Sequence, residues 1–542
     1  MTTQKLSSNP THGYDYLIVG GGTAGSVVAS RLAEYLPKKR ILLIEGGPSD
    51  VGDDRVLVLK DRICTIGTEL DYDYPIAPQP NGNSHIRQSR AKVLGGCSSH
   101  NDMISFRTTE YDAYLWQTLG CKGWTFDLFN RLLDNLRTTV RLPHPRDQSQ
   151  MCKDWIESAR GSLNISKVDD FNQMISSKTG LQEGVGWCNV SYDPDTGHRN
   201  SASIAYLHPI FQGAEKRPNL TVLTDAWVTK VHIADDTATA IDVTLKSGLG
   251  HTLHARQEII LCAGAIDTPR LLLLSGIGPR DQLESVNIQV KHDIPGVGEN
   301  LMDHPLTTML YELKRPAPTS TVANSDTAIF LRSKPFNHNG DDGHIPDVMV
   351  HIFTIPFVDD LERLGYEIPE PDRCFHFMPL IPRPKSVGRL YLKSSDPAEK
   401  PVLDFQYFTD KEGYDASILV EGIKACRKVA EQGPFKSWIK REIAPGPHLS
   451  TDAELNEFAR RASGTVYHPA CTTKMGNIET DRMAVVDTEL RVRGITGLRI
   501  ADAGVFPTML SVNPMLTVLA VGERCAELIA TDAGWQKDMS RL

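Results

Sequence analysis

A glycine-rich turn near the start of this 542-residue chain constrains its fold more than any other feature. Gly20, Gly22 and Gly25 follow the apolar residues 16–19, and residues 26–35 then place apolar side chains at helical spacing. The first glycine permits a tight turn, the second lets the backbone approach a pyrophosphate, and the third lets helix and strand pack closely. The segment therefore predicts a strand–turn–helix unit that binds a dinucleotide.

A second apolar segment ends at an acidic residue at the spacing that such a unit requires. Residues 41–44 are Ile-Leu-Leu-Ile, and Glu45 follows them, twenty residues after Gly25. A carboxylate at this position accepts hydrogen bonds from an unphosphorylated adenosine ribose, which FAD and NAD share. The motif predicts a dinucleotide without choosing between these two cofactors.

Similar strand-like segments recur at residues 258–261 and 498–502, so one parallel sheet assembled from separate parts of the chain is the simplest arrangement. The region between them differs, because it is rich in Pro and Asp and has only weak alternating apolar runs, which favour an antiparallel sheet. We therefore predict an α/β plus α+β fold. Its Rossmann-like domain is predicted at residues 1–160, 202–305 and 466–542, and its antiparallel-sheet, substrate-binding domain at residues 161–201 and 306–465.

The composition excludes several classes of protein. Acidic residues outnumber basic ones by 67 to 58, and there is no long Lys/Arg run, so a nucleic-acid partner is not expected. No uncharged apolar stretch reaches the length of about 18 residues that a membrane-spanning helix needs. The ten cysteines form no CxxC pairs, which is typical of free thiols in a reducing compartment, and no metal-ligand cluster is evident.

Four further segments carry a resemblance to a known family. Residues 91–101, AKVLGGCSSHN, and residues 264–278, GAIDTPRLLLLSGIG, resemble two signatures of the glucose–methanol–choline (GMC) family of FAD oxidoreductases. Residues 465–469 and 512–514 resemble the two active-site stretches of that family and occur in the same order. The resemblance implies the GMC fold, with FAD as the cofactor of the Rossmann-like domain.

Within the family, the chain most resembles the choline oxidase branch, in which the histidine matching His100 is bonded covalently to the flavin. The resemblance therefore implies covalent FAD, and a non-covalent loop histidine is the alternative. For Asp502, capping of a local turn remains an alternative to contact with the flavin. The residues assigned to the cofactor are Gly20, Gly22, Gly25, Glu45, Gly95, Ser99, His100, Asn101, Val228, Asp502 and Pro514.

Oxidation of an alcohol by a flavin requires a base for the hydroxyl proton and a site from which water is excluded. His468 matches the active-site histidine of the family, and imidazole suits proton transfer near neutral pH. Asn513 matches its partner and would orient the substrate oxygen or the flavin. His351 matches a second pocket histidine, expected to donate a hydrogen bond to the alkoxide. The predicted activity is oxidation of a small primary alcohol or aldehyde, with O2 as acceptor and hydrogen peroxide as product.

The predicted substrate pocket departs from the choline oxidase branch. Leu306 stands where that branch has an acidic residue, and Arg62 stands where it has a tryptophan of the aromatic cage. Phe357 and Tyr467 of the cage remain. A quaternary ammonium beside Leu306 and Arg62 is unfavourable, so choline is predicted to be a poor substrate.

Arg62 supports the hypothesis that the substrate carries a carboxylate or another electron-rich group, because guanidinium groups bind carboxylates in a bidentate manner. The alternative is that Arg62 points into solvent near an entrance loop. Asp102, which the resemblance places near the flavin, would oppose an anionic substrate if ionised. The alternative functions are a dehydrogenase with another electron acceptor, an oxidase or decarboxylase of a small carboxylate held by Arg62, and a non-catalytic flavoprotein.

The last three residues, Ser540, Arg541 and Leu542, resemble the Ser-Lys-Leu type of peroxisomal address. They predict a peroxisomal location and an import receptor as partner, with a random basic tail in a cytoplasmic protein as the alternative. Relatives in the family often form dimers, so a homodimer is also expected. The remaining partners are the small substrate and O2.

Overall fold

The strand predicted at the start of the chain lies inside a parallel sheet. In the computed structural model, which describes residues 13–333 and 345–536, Tyr14–Val19 pairs in parallel with Ile41–Ile44 and with Gly250–Leu261. Leu17 and Ile18 are fully buried. Such continuous apolar burial is typical of a parallel strand covered on both faces, so the predicted strand is confirmed.

This first sheet has seven strands, and they come from the beginning, middle and end of the chain, as predicted. Leu498–Ile500 extends the parallel part by pairing with Gly250–Leu261, whose first half pairs instead with an antiparallel strand. The strands are Tyr14–Val19, Ile41–Ile44, Leu220–Leu223, Ala226–Ala234, Thr237–Leu245, Gly250–Leu261 and Leu498–Ile500.

The first helix packs on the first sheet and joins it to a helix from the end of the chain. Thr23–Tyr35 follows the glycine turn, and Met515–Asp532 lies against it. A Cβ atom at Gly522 would lie 3.0 Å from the backbone oxygen of Ala24, so the glycine permits this close approach. Met515–Asp532 begins two residues after the predicted catalytic Asn513, and Asn513 and the glycine turn line the same cavity.

A second, nine-stranded sheet is mainly antiparallel, as predicted for the substrate-binding region. The weak alternation at residues 347–351 belongs to Val348–Phe353, in which every residue is buried. The helix Tyr414–Glu431 covers this strand and its neighbour Cys374–Leu380, which explains why polar residues do not alternate there. The strands are Lys167–Val168, Gly184–Trp187, Pro305–Thr307, Met309–Leu313, Thr327–Leu331, Val348–Phe353, Cys374–Leu380, Ile439–Ala444 and Ser463–Thr465.

Smaller elements connect the two sheets. Short strands pair at Tyr74–Pro75, Arg87–Gln88, Ile277–Gly278, His292–Asp293, Glu299–Leu301, Gly388–Tyr391 and Val402–Asp404. The other α-helices are Asp54–Leu57, Glu110–Thr118, Phe126–Asp134, Gln150–Leu163, Phe171–Ile175, Ala202–Tyr206, His208–Phe211, Gly264–Leu274, Arg280–Ser285, Asp359–Arg363 and Asp452–Arg461. The 3-10 helices are Leu59–Thr65, Gly96–Ser99, Pro145–Asp147, Pro371–Arg373, Pro434–Ser437 and Ala503–Val505.

The predicted domain limits stay a prediction. The helix Gln150–Leu163 spans the limit at residue 160 and packs against Tyr414–Glu431, on the side of the second sheet. Within the described ranges, no helix combines the length and apolar character needed to cross a bilayer. Residues 540–542 lie outside the described residues, and the peroxisomal location and the homodimer also stay predictions.

Candidate functional site

One cavity of about 740 Å³ touches both sheets and joins the glycine turn to the predicted catalytic residues. Such a joint site is what a dinucleotide cofactor with a redox-active ring requires, because its phosphates and its ring must contact different parts of the protein. The predicted site residues that line the cavity are Gly20, Gly22, Glu45, Arg62, His100, Asn101, Asp102, Val228, Leu306, Phe357, Tyr467, His468, Asp502, Asn513 and Pro514. Gly25, Gly95, Ser99 and His351 do not line it.

The glycine turn has the geometry that a pyrophosphate needs. Gly22 precedes the helix Thr23–Tyr35 and offers no side-chain cap, which leaves the first amide N–H groups to a ligand. Gly20 has a φ of 98°, and a Cβ there would lie 2.5 Å from the Cys262 oxygen. A Cβ at Gly25 would lie 1.9 Å from the Gly20 oxygen, so Gly25 serves helix packing. These residues fit the phosphates of the expected FAD.

Glu45 lies at the end of its strand, where it was predicted to meet the adenosine ribose. Its two carboxylate oxygens accept hydrogen bonds of 2.8 Å from the N–H groups of Gly21 and Gly47. Burial raises the pKa of Glu45 to about 7, although these N–H groups offset part of the effect. The side chain is thereby fixed at the cavity wall, where Val228 also lies.

The segment that carries His100 is a tight turn held by its own polar groups. Gly95 adopts a φ of 89°, and the buried Ser99 hydroxyl donates to the Leu94 carbonyl oxygen at 2.8 Å. Ser99 therefore stabilises the turn rather than facing the cavity. Asn101 shapes the next residues, since its side-chain oxygen accepts the Met103 N–H at 3.0 Å.

His100 faces the cavity from this turn. Its Nδ1 atom is buried and has no hydrogen-bond partner among the described residues. Burial and then the charges of Arg90 and Arg199 keep the pKa of His100 well below its usual value. A neutral ring with a free nitrogen fits a site beside the flavin.

His468 is paired with a second histidine, His304. Their Nδ1 atoms lie 2.8 Å apart, and the His304 Nε2 atom lies 2.9 Å from the carbonyl oxygen of Leu510. Because a carbonyl only accepts, His304 carries its proton on Nε2, and its Nδ1 accepts the N–H of His468. The His468 Nε2 atom is then unprotonated, as a general base requires.

Burial keeps both members of this pair neutral. It lowers the pKa of His304 and takes that of His468 well below its usual value, with the charge of His304 as the next cause for His468. Both shifts favour the unprotonated ring that a base requires.

Asp303 fixes the backbone on which His468 is mounted. Its carboxylate accepts the His468 backbone N–H at 2.9 Å and the Tyr407 hydroxyl at 2.6 Å. It also accepts the hydroxyl of Thr465. Tyr467, between these residues, has a φ of 61°, and Arg90 donates to its carbonyl oxygen. This network maintains an unfavourable backbone conformation next to the base.

Asn513 and His351 lie close to the histidine pair but differ in access to the cavity. Asn513 lines it, and Pro514 follows as the cap of the last helix. His351 is 3% exposed and lies next to the Asn513 side chain. Burial lowers its pKa to about 4, against a smaller opposing effect of Asn513. In this structure His351 does not reach the substrate space directly.

Asp502 lines the cavity and caps a local turn, so the capping role is confirmed and its contact with the flavin stays a prediction. Its carboxylate accepts the N–H groups of Gly504 and Gly264 at 2.8 and 2.9 Å, and the Thr268 hydroxyl at 2.6 Å. Burial raises its pKa. The side chain joins the last strand of the first sheet to the helix Gly264–Leu274.

Arg62 is buried, and the alternative that it points into solvent is wrong. It lies on the 3-10 helix Leu59–Thr65 with 4% of its side chain exposed. Its Nε atom donates to the carboxylate of Asp102. Burial lowers the pKa of Arg62 to about 10, which leaves it cationic at neutral pH. The carboxylate that Arg62 receives in this structure is therefore supplied by the chain itself.

Apolar and aromatic side chains form the remaining wall of the predicted substrate space. Leu306, Phe357 and Tyr467 line the cavity together with Phe353, whose ring lies 5.1 Å from that of Phe357. The guanidinium carbon of Arg62 lies 5.8 Å from the centre of the Phe353 ring. These side chains give the cavity that His468 lines an apolar and aromatic wall.

Three functional side chains had no role assigned from the sequence: His304, Asp303 and Arg90. The available signal for the first two was the Asp-His-Pro segment itself, in which two polar residues stand directly before a buried strand. Arg90 had no comparable signal, because only the fold brings it to Tyr467.

Comparison with known proteins identifies relatives along nearly the whole chain. Family models described as GMC oxidoreductase match residues 14–306 and 384–522. The chain is 38% identical over 530 residues to a choline oxidase of Arthrobacter globiformis, covering 95% of this chain and 94% of that protein. It is 31% identical over 579 residues to an alcohol dehydrogenase [acceptor] of Pseudomonas putida, covering 95% of each.

A solved structure supports the same relationship. The crystal structure of pyridoxine 4-oxidase from Mesorbium loti superposes with a TM-score of 0.84 at 26% identity, covering 95% of this chain and 99% of that one. This likeness extends over nearly the whole length of both chains.

Proposed function

Because this chain belongs to the GMC oxidoreductase family, we propose that it oxidises a small, uncharged alcohol or aldehyde and passes the electrons to O2. Members of the family bind FAD, and the glycine turn, Glu45 and the His100 segment form its binding site. The proposal adds the substrate class and the electron acceptor to this family-level activity.

The observation that carries the proposal is the tautomer of His468. His304 accepts the Nδ1–H of His468, which leaves Nε2 as a base in the cavity. When bound, FAD supplies the two-electron acceptor for a hydride from the substrate carbon. His468 takes the hydroxyl proton, Asn513 orients the oxygen, and the alcohol becomes an aldehyde. O2 gains two electrons and two protons overall and leaves as hydrogen peroxide.

Charge at the pocket supports an uncharged substrate. Arg62 and Asp102 form a pair without net charge, which favours neither choline nor a carboxylate. Leu306 adds an apolar surface beside His468, where the choline oxidase branch has an acid. Decarboxylation of a substrate held by Arg62 has less support, because the Asp102 carboxylate already binds Arg62 Nε and would repel a second carboxylate there.

Covalent attachment of FAD through His100 is part of the proposal. The His100 imidazole is neutral, and its Nδ1 atom has no partner among the described residues. Both observations support a ring nitrogen that is free to bond to a carbon atom of the flavin. The non-covalent alternative differs in one observable, namely release of flavin from the denatured protein.

The test is a panel of primary alcohols, aldehydes, hydroxy acids and choline, offered to the yellow protein without oxygen. We expect small neutral alcohols or aldehydes to bleach the flavin and choline to do so poorly. On admission of air, oxygen consumption with equimolar hydrogen peroxide supports an oxidase. If air reoxidises the bleached flavin slowly and an artificial electron acceptor reoxidises it fast, the oxidase is contradicted and a dehydrogenase is favoured.

A further inference from the structure

The ion pair between Arg62 and Asp102 leaves one hydrogen-bond donor unused on a side chain that lines the cavity. Arg62 Nη1 is buried, with no hydrogen-bond partner among the described residues, while Nε is bound to Asp102. A buried donor that loses water and gains no acceptor destabilises the folded protein, so a ligand oxygen placed there would be bound favourably.

Further contacts surround the pair. Arg199 Nη1 donates at 2.8 Å to the carbonyl oxygen of Asn101, directly before Asp102. The Met103 N–H, directly after it, donates at 3.0 Å to the Asn101 side chain. The guanidinium of Arg62 lies over Phe353. These contacts fix the backbone that carries Asp102 and place the Arg62 guanidinium against an aromatic ring.

The charge of Asp102 determines which ligand oxygens can bind favourably at Arg62 Nη1. A substrate carboxylate at Arg62 Nη1 would stand within about 5 Å of the Asp102 carboxylate, and their repulsion corresponds to a loss on the order of a hundredfold in affinity. An uncharged oxygen meets no such repulsion. The guanidinium alone attracts anions, but the pair does not.

We propose that Arg62 Nη1 binds a second, uncharged oxygen of the substrate, and that Asp102 makes the site select neutral over anionic substrates. The oxygen belongs to a hydroxyl, ether or carbonyl group at a distance from the alcohol being oxidised. Arg62 and Asp102 are thus specificity-determining residues. This inference rests on the proposed function and names its substrate class more closely.

The test uses pairs of alcohols of equal size that differ in one oxygen. 1-Butanol is compared with 2-methoxyethanol, 1-heptanol with 2-butoxyethanol, and 3-hydroxypropanoate serves as the anionic substrate. We expect kcat/KM to favour the ether by about tenfold or more in at least one pair, the value of a hydrogen bond to a charged group. Arg62→Ala should bring the ether-to-alkanol ratio of kcat/KM close to one. Asp102→Asn should raise kcat/KM for the hydroxy acid, relative to that for the ether, by about tenfold.

Controls separate recognition from loss of folding. Arg55→Ala removes an exposed arginine that pairs with Asp53, and it should leave the ether-to-alkanol ratio unchanged. If Arg62→Ala alone retains too little flavin, the double variant Arg62→Ala/Asp102→Ala is used instead, because it removes both charges. Its ether-to-alkanol ratio should also be close to one.

Two failures are distinguishable. Equal use of ether and alkanol in both pairs by the wild type, or an unchanged ratio in the Arg62 variants, overturns this inference and leaves the proposed function standing. If no alcohol or aldehyde bleaches the flavin, the proposed function itself fails, and this inference fails with it.

Discussion

The Nδ1 atoms of His304 and His468 lie 2.8 Å apart, and the two rings meet nearly at right angles, with an interplanar angle of 80°. Since the other nitrogen of His304 donates to Leu510, the contact sets the proton positions on both rings. His304, which does not line the cavity, thereby sets the tautomer of His468, which does.

Replacement of His304 tests this positioning role. His304→Ala should lower the rate constant for flavin reduction about a hundredfold, because His468 loses its orientation and its fixed tautomer. His304→Gln should recover much of the rate, since an amide oxygen can accept the same N–H. Stopped-flow reduction at several pH values measures both. Equal rates in the two variants, each with full flavin content, would show that the pair has no such role.

Two glycines of the turn should respond differently to alanine. A Cβ at Gly22 would lie 3.7 Å from its nearest neighbour, whereas one at Gly25 would lie 1.9 Å from a backbone oxygen. Gly22→Ala should therefore fold with an unchanged apoprotein Tm but bind FAD at least about tenfold more weakly, because the methyl group occupies the phosphate space. Gly25→Ala should fail to fold. Calorimetry measures the Tm, and titration measures the affinity for FAD. Normal FAD affinity in Gly22→Ala would contradict the assigned phosphate site.

His100→Gln tests the attachment of the flavin. The wild-type protein should keep its yellow colour in the pellet after acid precipitation, because a covalent bond survives denaturation. The variant should release its flavin into the supernatant while still binding it in the native state. Mass spectrometry of the tryptic peptide gives the same answer independently. Release of flavin by the wild-type protein would establish the non-covalent alternative.

The buried His351 should make stability depend on pH. The unfolded ring has a pKa of 6.5 and the folded one a pKa of about 4, so between these values only the unfolded state binds the proton. The free energy of unfolding should therefore fall as pH falls from 6.5 to 4, by about 3 kcal/mol from this residue. Below pH 4 both states bind the proton and the contribution stops changing.

Urea unfolding of His351→Gln measures that contribution. The difference between the variant and the wild type should change by about this amount from pH 6.5 to 4, because all other titrating groups are common to both. His254→Gln, at an exposed position, is the matched control and should follow the wild type. Parallel curves for wild type and His351→Gln would contradict the burial of a neutral ring.

The parts of the fold that the sequence predicted are local. The turn at Gly20–Gly25 and the strand at Ile41–Ile44 follow from neighbouring residues, because apolar runs and glycines act on the backbone where they stand. The packing of Met515–Asp532 on the first helix could not be predicted, because no local pattern identifies the partner of a helix. That Asn513 lines the same cavity as the glycine turn also needed the tertiary structure.

The site contains pairings that no local pattern predicts. His304 and His468 are 164 residues apart, and Arg62 and Asp102 are 40 apart. The resemblance to the family named His468, but its partner depends on the antiparallel pairing of Pro305–Thr307 with Ser463–Thr465, which brings the two segments side by side. No local pattern pairs Arg62 with Asp102 either, so the carboxylate at Arg62 was expected to come from the substrate.

The central claim is that His468 Nε2 removes the hydroxyl proton before hydride leaves the substrate carbon. The most direct measurement is the anaerobic rate constant for flavin reduction in His468→Gln, with flavin content and Tm equal to those of the wild type. The account predicts a decrease of about a hundredfold to ten-thousandfold, the usual contribution of a general base. A rate within about threefold of the wild type would contradict it.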